Sequence, residues 1–165
     1  MKTLFLVRHA KSVNHVTAAT DFNRSLNDRG VKDAAEMAGR LVKRDIMIDQ
    51  FVSSPAVRAK TTAEIFISQY NRKPEEILFI PDLYQATSKI FDRVIARFDD
   101  QFNHIAIFSH NPGITDYASY LTPTHITHMP TCSVLAVAAA IKSWQNFSVA
   151  KKEFLFFETP KGDKD

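Results

Sequence analysis

The spacing of apolar residues in this chain switches repeatedly between two periods. Residues 3–7 form a continuous apolar run rich in β-formers, the pattern of a strand buried on both faces. Val31, Ala34, Ala35, Ala38, Leu41 and Val42 then recur at helical spacing and predict one apolar helix face. Phe51 and Val52 predict a short strand ending at Ser53. Ser54-Pro55 reads as an N-cap with proline at the first helical position. The helix that follows carries Ala59, Ala63, Phe66, Ile67 and Tyr70 on one side. A strand at 77–80 is closed by Pro81, and Ile90, Phe91, Val94, Ile95 and Phe98 stripe a third helix. Residues 104–108 are a second strongly buried strand. Asn111-Pro112-Gly113 is a turn opening a short helix with Ile114, Tyr117, Ala118 and Leu121. Strands at 134–139 and 148–157 close the chain, and most of its 13 phenylalanines fall in strands or on helix stripes.

Strands alternating with helices predict an α/β protein of three layers, α/β/α, with a mostly parallel central sheet. The last two strands follow each other closely, so part of the sheet is expected to be antiparallel. With 165 residues, no repeat and no linker, the expected organisation is one domain over 1–160 and a polar tail at 161–165. Hydrophobic residues make up 45% and charged residues 24%, which excludes a disordered or collagenous chain. No apolar run is long enough to span a membrane. The net charge of +3 comes without a Lys/Arg run or interleaved aromatics, which argues against nucleic-acid binding and suits an anionic substrate. Cys132 is the sole cysteine, so no internal disulfide forms. The first apolar stretch is too short for a signal-peptide core, and a cytoplasmic location is expected. A monomer is the simplest expectation.

Two buried strands end alike: residues 4–7 run into Arg8-His9, and residues 105–108 run into Ser109-His110. In parallel sheets ligands bind beyond the carboxyl ends of strands, so both imidazoles are placed at the functional edge. Arg58 lies early in the helix after a third strand. Guanidinium groups bind phosphate or carboxylate bidentately and keep their charge. Neutral imidazole is a competent nucleophile, and phosphoryl transfer needs mainly positioning and positive charge. A nucleophilic histidine ringed by arginines, with a second histidine donating to the phosphoryl oxygens, meets that need without a metal.

The motifs also resemble a known family. Arg8-His9-Ala10 after a strand resembles the N-terminal signature of the histidine phosphatase superfamily. The stretch DFNRSLNDRGVKDA (21–34) resembles the following segment of the SixA-type phosphohistidine phosphatases. SSPAVRAKTTA (53–63), SHNPG (109–113) and MPTCSV (129–134) resemble later family segments, in order. The resemblance implies a phosphoglycerate mutase-like fold, a phosphorylated nucleophile at His9 and transition-state stabilisation by His110. It implies phosphate binding by Arg8, Arg24 and Arg58, where spacing alone reads Arg24 as a solvated loop charge. It implies no cofactor. The implied substrate is a histidine-phosphorylated phosphorelay or phosphotransfer protein, or a small phosphorylated molecule.

Phosphate-ester members of that family usually carry a Glu as proton donor after the third strand. Residues 80–87 read IPDLYQAT and hold no Glu. Asp82 is the candidate donor there, with a turn role after Pro81 as its alternative. Cleavage of phosphohistidine expels imidazole, which needs little acid assistance, so such a site suits P–N better than P–O cleavage. Two other readings stand beside this one: a small-molecule phosphomonoesterase or phosphomutase, and a phosphate-recognising module without turnover. Ser12, Asn14, His15 and Lys11 follow the first motif and are left open as pocket residues. His125 and His128 have i, i+3 spacing but no acidic or thiol companion, and they read as loop residues rather than metal ligands. Cys132 reads as a small buried residue.

Overall fold

The structure, a computed structural model, describes residues 1–16, 18 and 20–160, so the expected tail at 161–165 lies outside the described residues. Among the described residues six strands, β1 (Lys2–Arg8), β2 (Gln50–Ser53), β3 (Leu78–Phe79), β4 (His104–Ser109), β5 (Val134–Ala139) and β6 (Glu153–Glu158), form one sheet in the order β3-β2-β4-β1-β5-β6. β1, β2, β3 and β4 are mutually parallel. β5 is antiparallel to both β1 and β6, so it alone among these six runs against the rest.

Among the described residues four α-helices cover the two faces: α1 (Asp28–Lys43), α2 (Val57–Gln69), α3 (Ser88–Ala96) and α4 (Gly113–Leu121). Alternation along β1 shows the layering. Phe5 and Val7 pack with Ala34, Met37 and Leu41 of α1 and with Phe66 of α2. Leu4 and Leu6 pack on the other face with Phe91 and Ile95 of α3 and Ile114 of α4. Successive side chains on a strand point to opposite faces, so a strand apolar at every position must be covered twice. The expected three-layer α/β/α architecture with a mostly parallel sheet is what forms.

Several local expectations need correction. Val31 and Val42, expected on the buried face of α1, are 47% and 37% exposed. The buried stripe runs instead through Gly30, Asp33, Ala34, Met37, Ala38 and Leu41. Gly30 explains the rotation: a Cβ there would lie 2.1 Å from the Lys11 carbonyl oxygen, so this face of α1 sits directly on the chain after β1. Ser54-Pro55 does not cap α2, whose N-cap is Ala56 without a side-chain hydrogen bond. The strand expected at 77–80 shrinks to two residues at the sheet edge. The strand expected at 148–157 begins only at Glu153.

The topology creates the site. β1 leads into α1 on one face, and its neighbour β4 leads into α4 on the other. Helices departing in opposite directions from adjacent strands leave a crevice between the strand ends, where ligands bind in such sheets.

Candidate active site

In the register of β1 with β4, Arg8 stands beside Ser109, and the His9 amide donates to the Ser109 carbonyl at 3.1 Å. The two histidines therefore leave the sheet side by side. The chain after β1 is clamped from two directions. The Cys132 amide, from a backbone with φ of 60°, donates to the carbonyls of Arg8 (3.1 Å) and His9 (3.0 Å). The Ala10 amide donates to Thr62 Oγ1 at 3.0 Å.

His9 is buried, and its Nδ1 lies 2.7 Å from the Ala10 carbonyl oxygen. A carbonyl only accepts, so Nδ1 carries the proton and the neutral ring keeps its lone pair on Nε2. Arg58 Nε donates to that Nε2 at 3.3 Å. Burial holds the His9 pKa well below the usual imidazole range against the opposing Ala10 bond, and the Arg58 and Arg8 charges lower it further. The His110 ring centroid is 5.3 Å from that of His9. Its Nε2 is 2.7 Å from Ser54 Oγ, and its buried Nδ1 has no hydrogen-bond partner among the described residues. Burial, followed by the Arg58 charge, pushes His110 down to about 3. Both rings are neutral near pH 7.

The arginines converge on the same place. Arg8, His9, Lys11, Ser12, Arg24 and Arg58 line a cleft of about 370 Å³, which Asn111 and Thr131 complete. Arg8 donates to the Met129 carbonyl (2.9 Å). Arg24 donates to the Val13 carbonyl (2.9 Å), Ser12 Oγ (2.8 Å) and Asp21 Oδ1 (3.0 Å). That is a fixed group rather than the solvated charge its spacing suggested. A second cleft of about 300 Å³ adjoins this one, sharing Arg58 and Asn111. Its wall includes Asp21, Tyr84, Gln85, His110 and Asp116. The first cleft is cationic and fits a tetrahedral oxyanion, and the second has room for the group that oxyanion is attached to.

Of the sequence-selected residues, His9, His110, Arg8, Arg24 and Arg58 come together. Lys11 and Ser12 join them, while Asn14 and His15 are exposed and line neither cleft. Asp82, the candidate proton donor, is exposed in the 3-10 turn Pro81–Leu83 and also lines neither cleft, so its place is the turn role. His125 stacks on Phe154 at 4.0 Å, away from the site. Among the described residues no group of three or more His, Cys, Asp or Glu is placed to hold a metal. Cys132 is buried against the α1/α2 side of the sheet.

Three residues escaped the sequence reading. Asp21 bonds Arg24, Arg58 and Tyr84. Ser54, read as a helix cap, instead sits against His110. Tyr84 sets its ring edge-on to His110 at 5.5 Å. Only Asp21 had a signal in the sequence, lying three residues before Arg24 in the family-like segment.

A doubly wound sheet brings two imidazoles and three guanidiniums to one crevice of this α/β protein. Residues 4–83 match the model of the histidine phosphatase superfamily, branch 1. The protein histidine phosphatase SixA, solved with tungstate, superposes with a TM-score of 0.80 at 20% identity, covering 96% of this chain and 97% of that one. The phosphoserine phosphatase of Entamoeba histolytica gives a TM-score of 0.69 at 16% identity, covering 98% of each chain. An uncharacterised chloroplastic protein of Arabidopsis thaliana is 27% identical over 152 residues, 87% of this chain and 69% of that protein. The fold is phosphoglycerate mutase-like, and the likeness to the histidine phosphatase superfamily extends over residues 4–83. Among the described residues no helix is long and apolar enough to cross a membrane.

Proposed function

We propose that this protein is a phosphohistidine phosphatase that works through a covalent phosphohistidine on His9. The observation that carries the reading is the His9 tautomer. Its Nδ1 proton is committed to the Ala10 carbonyl, and its Nε2 lone pair stands at the cationic cleft.

In the first step His9 Nε2 attacks phosphorus. The bond from phosphorus to the leaving nitrogen breaks, and its electron pair departs with the substrate ring, which leaves as neutral imidazole because its other ring nitrogen carries a proton. Arg8, Arg24 and Arg58 carry the charge on the equatorial oxygens, and His110 hydrogen-bonds one of them. In the second step water attacks phosphorus, and the bond from phosphorus to His9 Nε2 breaks. His9 regains its lone pair, and phosphate and a proton are released.

The acids near the second cleft favour P–N over P–O cleavage. Asp21 is held ionised by the Tyr84 hydroxyl and both arginines and has no proton to give. Asp82 is exposed and lines neither cleft. Imidazole, whose conjugate acid has a pKa of about 6.5, leaves with little help, whereas an alkoxide does not. The substrate in this reading is a histidine-phosphorylated phosphotransfer protein of the cytoplasm.

A second reading, a small-molecule phosphomonoesterase, has one observation in its favour: Asp116 is a carboxylate on the wall of the second cleft. Turnover of a histidine-phosphorylated protein and of phosphoserine, with wild type and His9→Ala, tests both. The expected result is preference for the phosphohistidine substrate, lost in His9→Ala together with an acid-labile phosphoenzyme. Preference for the ester would defeat the P–N reading. Unchanged turnover in His9→Ala would remove His9 from the reaction.

A further inference from the structure

We propose that Asp21, held by Tyr84, is the positioning residue that fixes the Arg24 and Arg58 guanidiniums for the phosphoryl group. The inference rests on the reading that the cationic cleft binds phosphate. Asp21 lines the second cleft and not the cationic one. It grips the arginines from outside the phosphate position and does not occupy it.

Each of its acceptors is used. Oδ1 takes Arg24 Nη1 at 3.0 Å. Oδ2 takes Arg58 Nη2 at 3.0 Å and the Tyr84 hydroxyl at 2.7 Å. Its backbone carbonyl takes Arg58 Nη1 at 2.7 Å. The exposed His15 ring stands 3.9 Å from Oδ1. Arg58 is thereby held at both terminal nitrogens while its Nε reaches His9 Nε2 at 3.3 Å. A chain of contacts thus runs from Tyr84 through Asp21 and Arg58 to the nucleophilic nitrogen. Tyr84 also sets its ring edge-on to His110, so one residue pair touches that imidazole directly and His9 through Arg58.

A carboxylate beside a phosphate site is unfavourable by charge alone, since it repels the ligand. Its presence here is explained by what it holds. A buried guanidinium on a long side chain has many rotamers, and two charge-assisted bonds select one of them. The two effects have opposite signs, which makes the proposal testable. Neutralising Asp21 tightens anion binding if the carboxylate acts only by charge, and weakens it if the carboxylate positions the arginines.

The experiment measures binding of inorganic phosphate by titration calorimetry to wild type, Asp21→Asn, Asp21→Glu and Tyr84→Phe, with thermal midpoints alongside. Asp21→Asn is expected to weaken phosphate about tenfold or more, the worth of charge-assisted bonds, with little change in midpoint. Asp21→Glu is expected to recover part of the loss, and Tyr84→Phe to lose about threefold. With p-nitrophenyl phosphate the Asn variant raises KM and lowers kcat together. Unchanged or tighter phosphate binding in Asp21→Asn overturns the proposal. If that variant does not fold, Tyr84→Phe decides, and an unchanged phosphate affinity there overturns it equally. A wild type that binds phosphate but turns over no phosphorylated substrate defeats the phosphatase reading, while the titrations still judge Asp21.

Discussion

His9 and His110 face each other with ring centroids 5.3 Å apart and planes tilted by 49°, at the ends of two adjacent parallel strands. Their separation is set by the sheet, because the residues just before them are register partners. Two neutral imidazoles at this distance can serve one phosphoryl group, one as nucleophile and the other as hydrogen-bond donor. The surrounding guanidiniums keep both rings unprotonated by adding positive charge to the effect of burial.

That protonation state has a consequence for pH. A histidine with a depressed folded pKa binds fewer protons than the unfolded chain at any pH between that value and about 6.5. Its stabilisation is complete above about 6.5 and is lost as pH falls toward the folded value, about 3 for His110. The thermal midpoint of the ligand-free protein is therefore expected to drop between about pH 6.5 and 4.5, less steeply in His110→Ala. Neither ring is expected to titrate in proton NMR between about pH 5.5 and 8. An inflection near 6.5 for His9 would contradict its buried, arginine-flanked setting.

Ser54 supports His110 through the 2.7 Å contact to Nε2, and its Oγ also accepts the Ala56 amide at 3.2 Å. Ser54→Ala removes both bonds and leaves the imidazole without its tether. The expected cost is about 1 kcal/mol of stability, with a drop in kcat of about tenfold and a smaller change in KM. Steady-state kinetics check this, and an unaltered kcat would show that His110 needs no such tether.

Gly113 opens α4 where a Cβ would stand 1.8 Å from the Ala86 carbonyl oxygen. The obstacle is backbone, so Gly113→Ala must push α4 away from residues 84–87, which wall the second cleft. Destabilisation of about 1–3 kcal/mol is expected, as for overpacking elsewhere in close-packed interiors. Catalytic efficiency should fall as well. Gly39, whose Cβ would meet only the Gln69 side-chain oxygen at 3.9 Å, is the control, since Gly39→Ala should leave stability equal or higher. Denaturant melts of the two variants make the comparison.

The two carboxylates outside the arginine network separate the chemistries. Asp82→Asn is expected to leave kcat within about twofold on any substrate, because the side chain reaches neither cleft. Asp116→Asn should likewise spare phosphohistidine turnover, and should depress phosphoserine turnover if Asp116 protonates an alkoxide. Paired assays on the two substrates read this directly. Strong loss on phosphohistidine in either variant would show that acid assistance is needed for P–N cleavage here.

By itself the sequence determined the order of strands and helices and placed His9 and His110 at equivalent strand ends. Buried runs and helical spacing are local, and they record which segments must be covered on one face or two. It also singled out Arg8 and Arg58, whose positions follow directly from those elements. The three-dimensional fold decided the rest. The face of α1 rotated away from Val31 and Val42 because Gly30 let the helix sit on the Lys11 carbonyl. Ser54 turned from helix cap to partner of His110. Asp21 and Tyr84, far apart in the chain, met over Arg58. Such contacts depend on the separation and tilt of packed elements, and no periodicity within a single segment carries that information.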